Sequence, residues 1–65
     1  MEQPDFALIY ITCPSEEEAV RLARLVLDRR LAACANILPR IRSLYWWEGT
    51  LHDETESLLL LKAPY

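Results

Sequence analysis

Residues 42–62, RSLYWWEGTLHDETESLLLLK, carry the clearest structural pattern in the sequence. The three large aromatics of this stretch, Tyr45–Trp47, are followed at once by Glu48 and by Gly49, the only glycine in the chain. Glycine adopts positive φ without steric cost, so Glu48-Gly49 fits the two-residue turn of a β-hairpin. The pattern predicts a long antiparallel hairpin with a buried base and an aromatic tip.

The two strands of this hairpin are expected to differ in exposure along their length. The returning strand, Leu51–Lys62, begins polar and becomes fully apolar only from Leu58. Its first half is therefore expected to be exposed and its second half central to the sheet. The outgoing strand is predicted over Asn36–Trp47, and Pro39 within it cannot donate a ladder hydrogen bond. Pro39 should lie at a sheet edge or a bulge.

Upstream of the hairpin, the sequence predicts one strand and one helix. In Phe6–Cys13, both the even-numbered and the odd-numbered positions are apolar, which is typical of a strand buried on both faces. Ser15 fits a helix N-cap, with the side chain of Glu18 reaching back in a capping box. The helix is expected from Glu16 to about residue 31, packing one face on a sheet. Arg29-Arg30 is expected in its last turn, where positive charge complements the helix dipole.

The order of elements is strand, helix, strand, strand. A right-handed crossover followed by a hairpin lets the third strand lie between the first and the second. The predicted fold class is α+β: one domain over residues 1–65, an antiparallel sheet with one helix. This is the β-α-β-β portion of a ferredoxin-like βαββαβ fold.

Composition points to self-association. A chain of 65 residues buries only about 60% of the surface that it exposes when unfolded. Hydrophobic residues make up 52% of it, including two adjacent tryptophans, and such an excess favours contact with further chains. The net charge is −3, with seven basic residues mixed among ten acidic ones. This distribution argues against a nucleic-acid partner.

The sequence also predicts a cytoplasmic protein. No apolar run approaches the roughly 20 residues of a membrane span, and residues 1–5, MEQPD, lack the positive region of a signal peptide. Cys13 and Cys34 are too few for a disulfide framework, and two buried thiols in a reducing compartment are expected.

Several segments together resemble the CutA-type divalent-cation tolerance proteins, in the right order along the chain. They are Thr12-Cys13-Pro14-Ser15, Arg30-Leu31-Ala32-Ala33-Cys34-Ala35-Asn36-Ile37, Ser43-Leu44-Tyr45-Trp46-Trp47-Glu48-Gly49, and Glu56 with Leu58 to Lys62. The resemblance implies a ferredoxin-like subunit, related in architecture to the PII signalling proteins, that forms a homotrimer. It also implies a role in tolerance to copper and other divalent metals, with no catalytic activity.

The sequence departs from this family after Lys62. Family members continue with a second helix and a fourth strand, whereas the sequence ends at Ala63-Pro64-Tyr65. Two interpretations stay open. Either a neighbouring chain covers the surface left by the absent elements, or the sequence is part of a longer natural polypeptide, which is the favoured expectation.

A metal site has six candidate ligands. They are Cys13, Cys34, His52, Asp53, Glu54 and Glu56. Thiolates suit Cu(I), and imidazole suits Cu(II) or zinc. The resemblance places Cys34 at the junction where a family cysteine has been proposed as a copper ligand. Cys34 and His52 are therefore the predicted ligands for copper or another divalent cation. The alternatives are a buried structural thiol and a solvated strand histidine.

Catalysis is not expected. A nucleophile needs a base to activate it, and only Cys13 or Cys34 with His52 offers such a pair, without supporting spacing. Tyr45–Trp47 is predicted to lie at an oligomer interface, where large aromatics often anchor binding. The primary hypothesis is a non-catalytic trimer that binds metal or acts as a scaffold. The alternative is a PII-like sensor that binds a small anionic metabolite between subunits.

Overall fold

A computed structural model describes residues 5–64. Its elements are β1, Phe6–Cys13; α1, Glu16–Asp28; β2, Cys34–Trp47; and β3, Thr50–Pro64. The predicted order of one helix and three strands is confirmed. The expectation about a signal peptide rests mostly on residues 1–4, which lie outside the described residues, as does Tyr65.

β3 lies at the centre of the sheet. The strand order is β1-β3-β2, and both pairings are antiparallel, as predicted. β1 pairs with β3 only as far as Cys13 opposite Ser57. The rest of β3 pairs with β2 alone, up to Trp47 opposite Thr50. Residues 41–56 therefore form a two-stranded ribbon that extends beyond β1, and we call this ribbon the hairpin arm. The described residues measure 48 × 25 × 17 Å overall.

The hairpin turn forms as predicted. Glu48 has φ 49° and Gly49 has φ 78°, and positive φ at both central residues is the requirement of a type I′ turn. The strand bounds differ from the prediction, because β2 begins two residues earlier, at Cys34, and β3 extends to Thr50 and Pro64.

Pro39 occupies the kind of position expected for it. β2 is an edge strand, and its register with β3 shifts between Leu38 and Ile41, so that β2 carries one extra residue there. The buried Ser57 hydroxyl donates a hydrogen bond of 2.6 Å to the Pro39 carbonyl. This hydrogen bond gives the Pro39 carbonyl a partner where the register shift interrupts the backbone hydrogen bonds between β2 and β3.

The start of α1 confirms one half of the predicted capping box. Ser15 is the N-cap, and its side-chain oxygen accepts a hydrogen bond of 3.1 Å from the backbone N–H of Glu18. The prediction that the Glu18 side chain reaches back is wrong. Its carboxylate instead pairs with Arg21 at 2.6 Å, one turn further on, and this pairing lowers the pKa of Glu18.

α1 ends earlier than predicted, at Asp28. The N–H of Leu31 donates to the carbonyl of Val26, and the N–H of Arg30 to that of Leu27. These two bonds define a Schellman motif, whose C′ residue takes the left-handed conformation. Arg30 holds that position with φ 55°. Arg29 and Arg30 therefore lie beyond the helix, and their predicted place in its last turn is wrong.

The core lies between α1 and one side of the sheet. Ala19 and Ala23 of the helix are buried, and Leu59 of β3 has no exposed surface. The prediction that the helix packs one face on the sheet is confirmed. The core consists of Cys13, Ala19, Ala23, Ala32, Leu59, Leu61 and Ala63. Five of these seven side chains are small, so the core is thin.

The other side of the sheet, here called the open face, has no helix against it within the described chain. It carries Phe6, Leu8, Tyr10, Leu38, Leu58 and Leu60. Leu8 is 74% exposed and Tyr10 is 64% exposed. The prediction that β1 is buried on both faces is therefore wrong for a single chain. The apolar pattern of β1 is real, but no element within residues 5–64 packs over Leu8 and Tyr10, although Leu58 on the same side is only 7% exposed.

The Schellman motif gives a testable prediction. A non-glycine residue in the left-handed region is strained by about 1 kcal/mol, so Arg30→Gly should raise the free energy of unfolding by up to that amount. The matched control is Arg29→Gly, because Arg29 has φ −88°. Glycine there relieves no strain and only increases the conformational entropy of the unfolded chain. Urea unfolding at one protein concentration measures both. A loss of stability in Arg30→Gly would contradict the assignment.

Candidate functional site

The hairpin arm presents a different set of side chains on each face. Opposite residues of an antiparallel pair point to the same side, and the register places Tyr45 opposite His52 and Ser43 opposite Glu54. These residues, with Glu56 opposite Ile41, continue the open face of the sheet. We call Ser43, Tyr45, His52, Glu54 and Glu56 the polar ladder.

The polar ladder is held together by side-chain contacts. The Tyr45 hydroxyl donates to Glu54 Oε2 at 2.9 Å, and the Ser43 hydroxyl donates to Glu56 Oε2 at 2.9 Å. The rings of Tyr45 and His52 stack at 5.1 Å with an angle of 8° between their planes. His52 Nδ1 lies 3.9 Å from Glu54 Oε1. The contacts link the two strands along the outer half of the sheet.

These contacts change the ionisation of Tyr45. The pKa of Tyr45 is raised, mainly by its hydrogen bond to Glu54. Loss of hydration and the negative charges of Glu54 and Glu56 raise this pKa further. The neutral phenol can donate to the carboxylate, whereas a phenolate would repel it. Tyr45 therefore stays a hydrogen-bond donor across neutral pH.

The opposite face of the hairpin arm is fixed by an ion pair. Arg42 donates two hydrogen bonds to Asp53, of 2.8 and 2.6 Å. This bidentate contact lowers the pKa of Asp53. Leu44, Trp46 and Leu51 lie on the same face and are exposed. The arm therefore combines a few cross-strand polar contacts with a large apolar surface.

The aromatic tip is open to solvent in the single chain. Trp46 is 72% exposed, Trp47 is 63% exposed, and the two project to opposite faces of the arm. Neither indole ring is buried against the sheet of its own chain. The predicted oligomer interface of Tyr45, Trp46 and Trp47 stays a prediction, and its residues are accessible to a partner.

The structure does not bring Cys34 and His52 together. Cys34 pairs with Lys62 and His52 with Tyr45, which puts them roughly 30 Å apart along β3. Cys34 is half-buried on the open-face side of β2, where its thiol donates to Asn36 Oδ1 at 3.7 Å. Cys13 is buried in the core beneath α1.

The six candidate ligands are thus spread over the chain. Asp53 lies on the face of the arm opposite to Glu54 and Glu56. Within residues 5–64, no three histidine, cysteine, aspartate or glutamate side chains are placed to hold a metal ion. The described residues of one chain do not make a complete metal site. The ligand roles of Cys34 and His52 remain predictions that require further ligands.

The polar ladder was not singled out by the sequence analysis, although a signal for it exists. Counting outward from the Glu48-Gly49 turn pairs Tyr45 with His52 and Ser43 with Glu54. What the count cannot supply is the choice of hydrogen-bond partner, since Tyr45 reaches diagonally to Glu54 and Ser43 to Glu56.

The strand order and the single helix define an α+β protein of ferredoxin-like type. Residues 7–64 match the family of CutA1 divalent ion tolerance proteins. The chain therefore belongs to this family. Among the described residues, no helix has the length and hydrophobicity needed to cross a membrane.

Curated relatives come from distant organisms. The chain is 52% identical over 55 residues to the divalent-cation tolerance protein CutA of Archaeoglobus fulgidus, covering 85% of this chain and 53% of that protein. It is 43% identical over 57 residues to a CutA homolog of Danio rerio, covering 88% and 38%. The chain thus spans about half the length of the archaeal relative and less of the fish relative.

Solved structures of the family have the same fold. CutA of Synechococcus elongatus superposes with a TM-score of 0.88 at 36% identity, covering 98% of this chain and 56% of that one. The divalent cation tolerance protein of Thermus thermophilus gives 0.86 at 42% identity, covering 91% and 57%. A structure from Archaeoglobus fulgidus, with a TM-score of 0.84 at 46% identity covering 89% and 56%, is described as a periplasmic divalent cation tolerance protein.

The polar ladder gives a second prediction. Glu54→Gln should lower the pKa of Tyr45 towards its ordinary value of about 10, and Glu56→Gln should lower it less, because Glu56 acts only through its charge. Site-resolved NMR titration of the Tyr45 ring carbon measures this. Because the pKa of Tyr45 is raised, the stability that its hydrogen bond contributes is present below pH 10 and is lost as the pH rises through the folded-state pKa. A larger shift in Glu56→Gln would contradict the geometry.

Proposed function

We propose that this protein serves divalent-cation tolerance without turnover, as a homotrimer that binds copper or another divalent cation or acts as a stable scaffold. Membership of the CutA1 family supports the proposed role in divalent-cation tolerance. The main support for the proposed homotrimer is the hairpin arm, because Trp46 and Trp47 are exposed at its tip.

The physical reason for assembly is the surface that one chain leaves uncovered. A two-stranded ribbon is marginally stable in water by itself, and none of residues 5–64 adds a third strand to the arm. Burying apolar surface is worth about 25 cal/mol per Å². Contact between arms of different copies would bury the indole rings and support the ribbon at the same time.

A cation site would need ligands from more than one source. Cys34 offers a soft thiol beside the Asn36 amide oxygen, and thiolates favour Cu(I). The remaining ligands would come from other copies or from polypeptide beyond the described residues. His52 is proposed as a ligand of a separate, weaker site, in which copies of the polar ladder meet near the three-fold axis.

The placement of the two cysteines supports the proposal that the protein acts without turnover. Cys13 is buried in the core, and Cys34 is roughly 30 Å from His52 along β3. A thiol needs a nearby base to become an efficient nucleophile, and within residues 5–64 the imidazole of His52 cannot serve Cys34. We propose a cytoplasmic location, consistent with the two free cysteines.

The assembly is tested by removing the aromatic tip. In the double variant Trp46→Ala and Trp47→Ala, the particle mass should fall to a third, because the contacts between arms lose their largest apolar side chains. Size-exclusion chromatography with light scattering measures the mass. Leu25→Ala is the control, because Leu25 is an apolar residue on α1 that is 41% exposed. An unchanged mass in the double variant would contradict the proposed interface.

The cation role is tested by calorimetric titration with Cu(II) and with Zn(II). Binding at micromolar metal should weaken at least tenfold in Cys34→Ala or in His52→Ala. Cys13→Ala is the control, because Cys13 is buried in the core and should not contribute. Absence of binding, or binding that neither substitution affects, would refute the metal site and leave the scaffold role.

A further inference from the structure

β2 follows two different registers with β3, and they differ by one residue. At the base of the sheet, Leu38 lies opposite Leu58, whereas at the tip Trp47 lies opposite Thr50. The extra residue of β2 lies in the bulge that directly follows Leu38. The bulge therefore marks the point at which β2 changes from one register to the other.

Each register is required by the side chains at its own end of β2. At the base, Ile37 packs against the core. The tip register, carried down to the base, would turn Leu38 to the core side instead, because a slip of one residue moves every side chain to the other face. At the tip, Glu48 and Gly49 form a two-residue turn with positive φ, and the base register would leave three residues in that turn. The bulge allows both ends of β2 to keep their own register.

The bulge coincides with the boundary between the sheet core and the hairpin arm. Opposite it on β3 lies Ser57, which pairs on its other side with Cys13, the last residue of β1. Ser57 is only 2% exposed, and its hydroxyl donates the hydrogen bond of 2.6 Å to the carbonyl of Pro39 in the bulge. A bulge bends its strand and increases the local twist. We call Pro39, Arg40 and Ser57 the joint.

We propose that the joint sets the direction in which the hairpin arm leaves the sheet core. The extra residue bends β2, and the hydroxyl of Ser57 ties the bent backbone to β3 where the register shift interrupts the ladder. Because Ser57 is buried, water competes little for this hydrogen bond. The importance of this direction for assembly rests on the proposed function, in which the arms of different copies meet. The direction itself depends on contacts within one chain.

Removing the extra residue tests the joint. Deletion of Arg40 together with Pro39→Val should give a regular ladder that keeps every pair of both registers, because valine can donate the ladder hydrogen bond that proline cannot. Residual dipolar couplings of the backbone N–H groups measure the direction of the arm relative to the core. The arm should rotate in this variant and keep its direction in the control, Pro39→Val alone, which retains the extra residue. An unchanged direction after the deletion would overturn the proposal.

Ser57→Ala tests the joint without changing the length of β2. An arm that is held less tightly averages over several directions, so its couplings should lose about half of their size relative to those of the core. Ser43→Ala is the matched control, because it removes a serine hydrogen bond of 2.9 Å to Glu56 within the arm and leaves the joint intact. Arm couplings of full size in Ser57→Ala would refute the role of the hydroxyl, even if the deletion variant does not fold.

Light scattering on the same samples shows whether assembly depends on the joint. The particle mass should fall in the deletion variant and stay unchanged in Pro39→Val. A rotated arm with an unchanged mass would overturn the link between the joint and assembly. If the unmodified protein has the mass of a single chain, the proposed homotrimer is wrong. The couplings then still decide whether the joint sets the direction of the arm, because they report on each chain separately.

Discussion

A single helix faces a three-stranded sheet, so within residues 5–64 only one side of the sheet packs against a helix. α1 shields that side with small residues, Ala19 and Ala23, against the buried Leu59. The opposite side keeps Leu8 and Tyr10 in solvent. Exposing so much apolar surface opposes solubility of a lone chain. The proposals for assembly follow from this imbalance.

β3 runs through both the sheet core and the hairpin arm. Its inner half is apolar and lies between β1 and β2, and its outer half carries His52, Glu54 and Glu56 and pairs with β2 alone. Individual exposed polar contacts contribute little to stability. The polar contacts of the arm link β2 to β3 along its length. An arm anchored by the sheet core can present its two indole rings to neighbouring copies.

Much of the fold follows from local signals in the sequence. The turn at Glu48-Gly49 and the proline at Pro39 were predictable because each residue type restricts the backbone. The end of α1 was not, since Arg30 takes a left-handed conformation without the usual glycine. The apolar pattern of β1 shows that its side chains avoid water but not which element covers them. The separation of Cys34 from His52 depends on the direction of β2 and β3, which spacing along the chain does not give.

We have proposed that other copies of the chain cover the apolar surface that this subunit exposes. Sedimentation equilibrium of the 65-residue chain over a range of micromolar concentrations tests it most directly. The expected result is a folded particle whose mass is a multiple of 7.6 kDa and stays constant on dilution through that range. A folded particle with the mass of one chain at every concentration would contradict it.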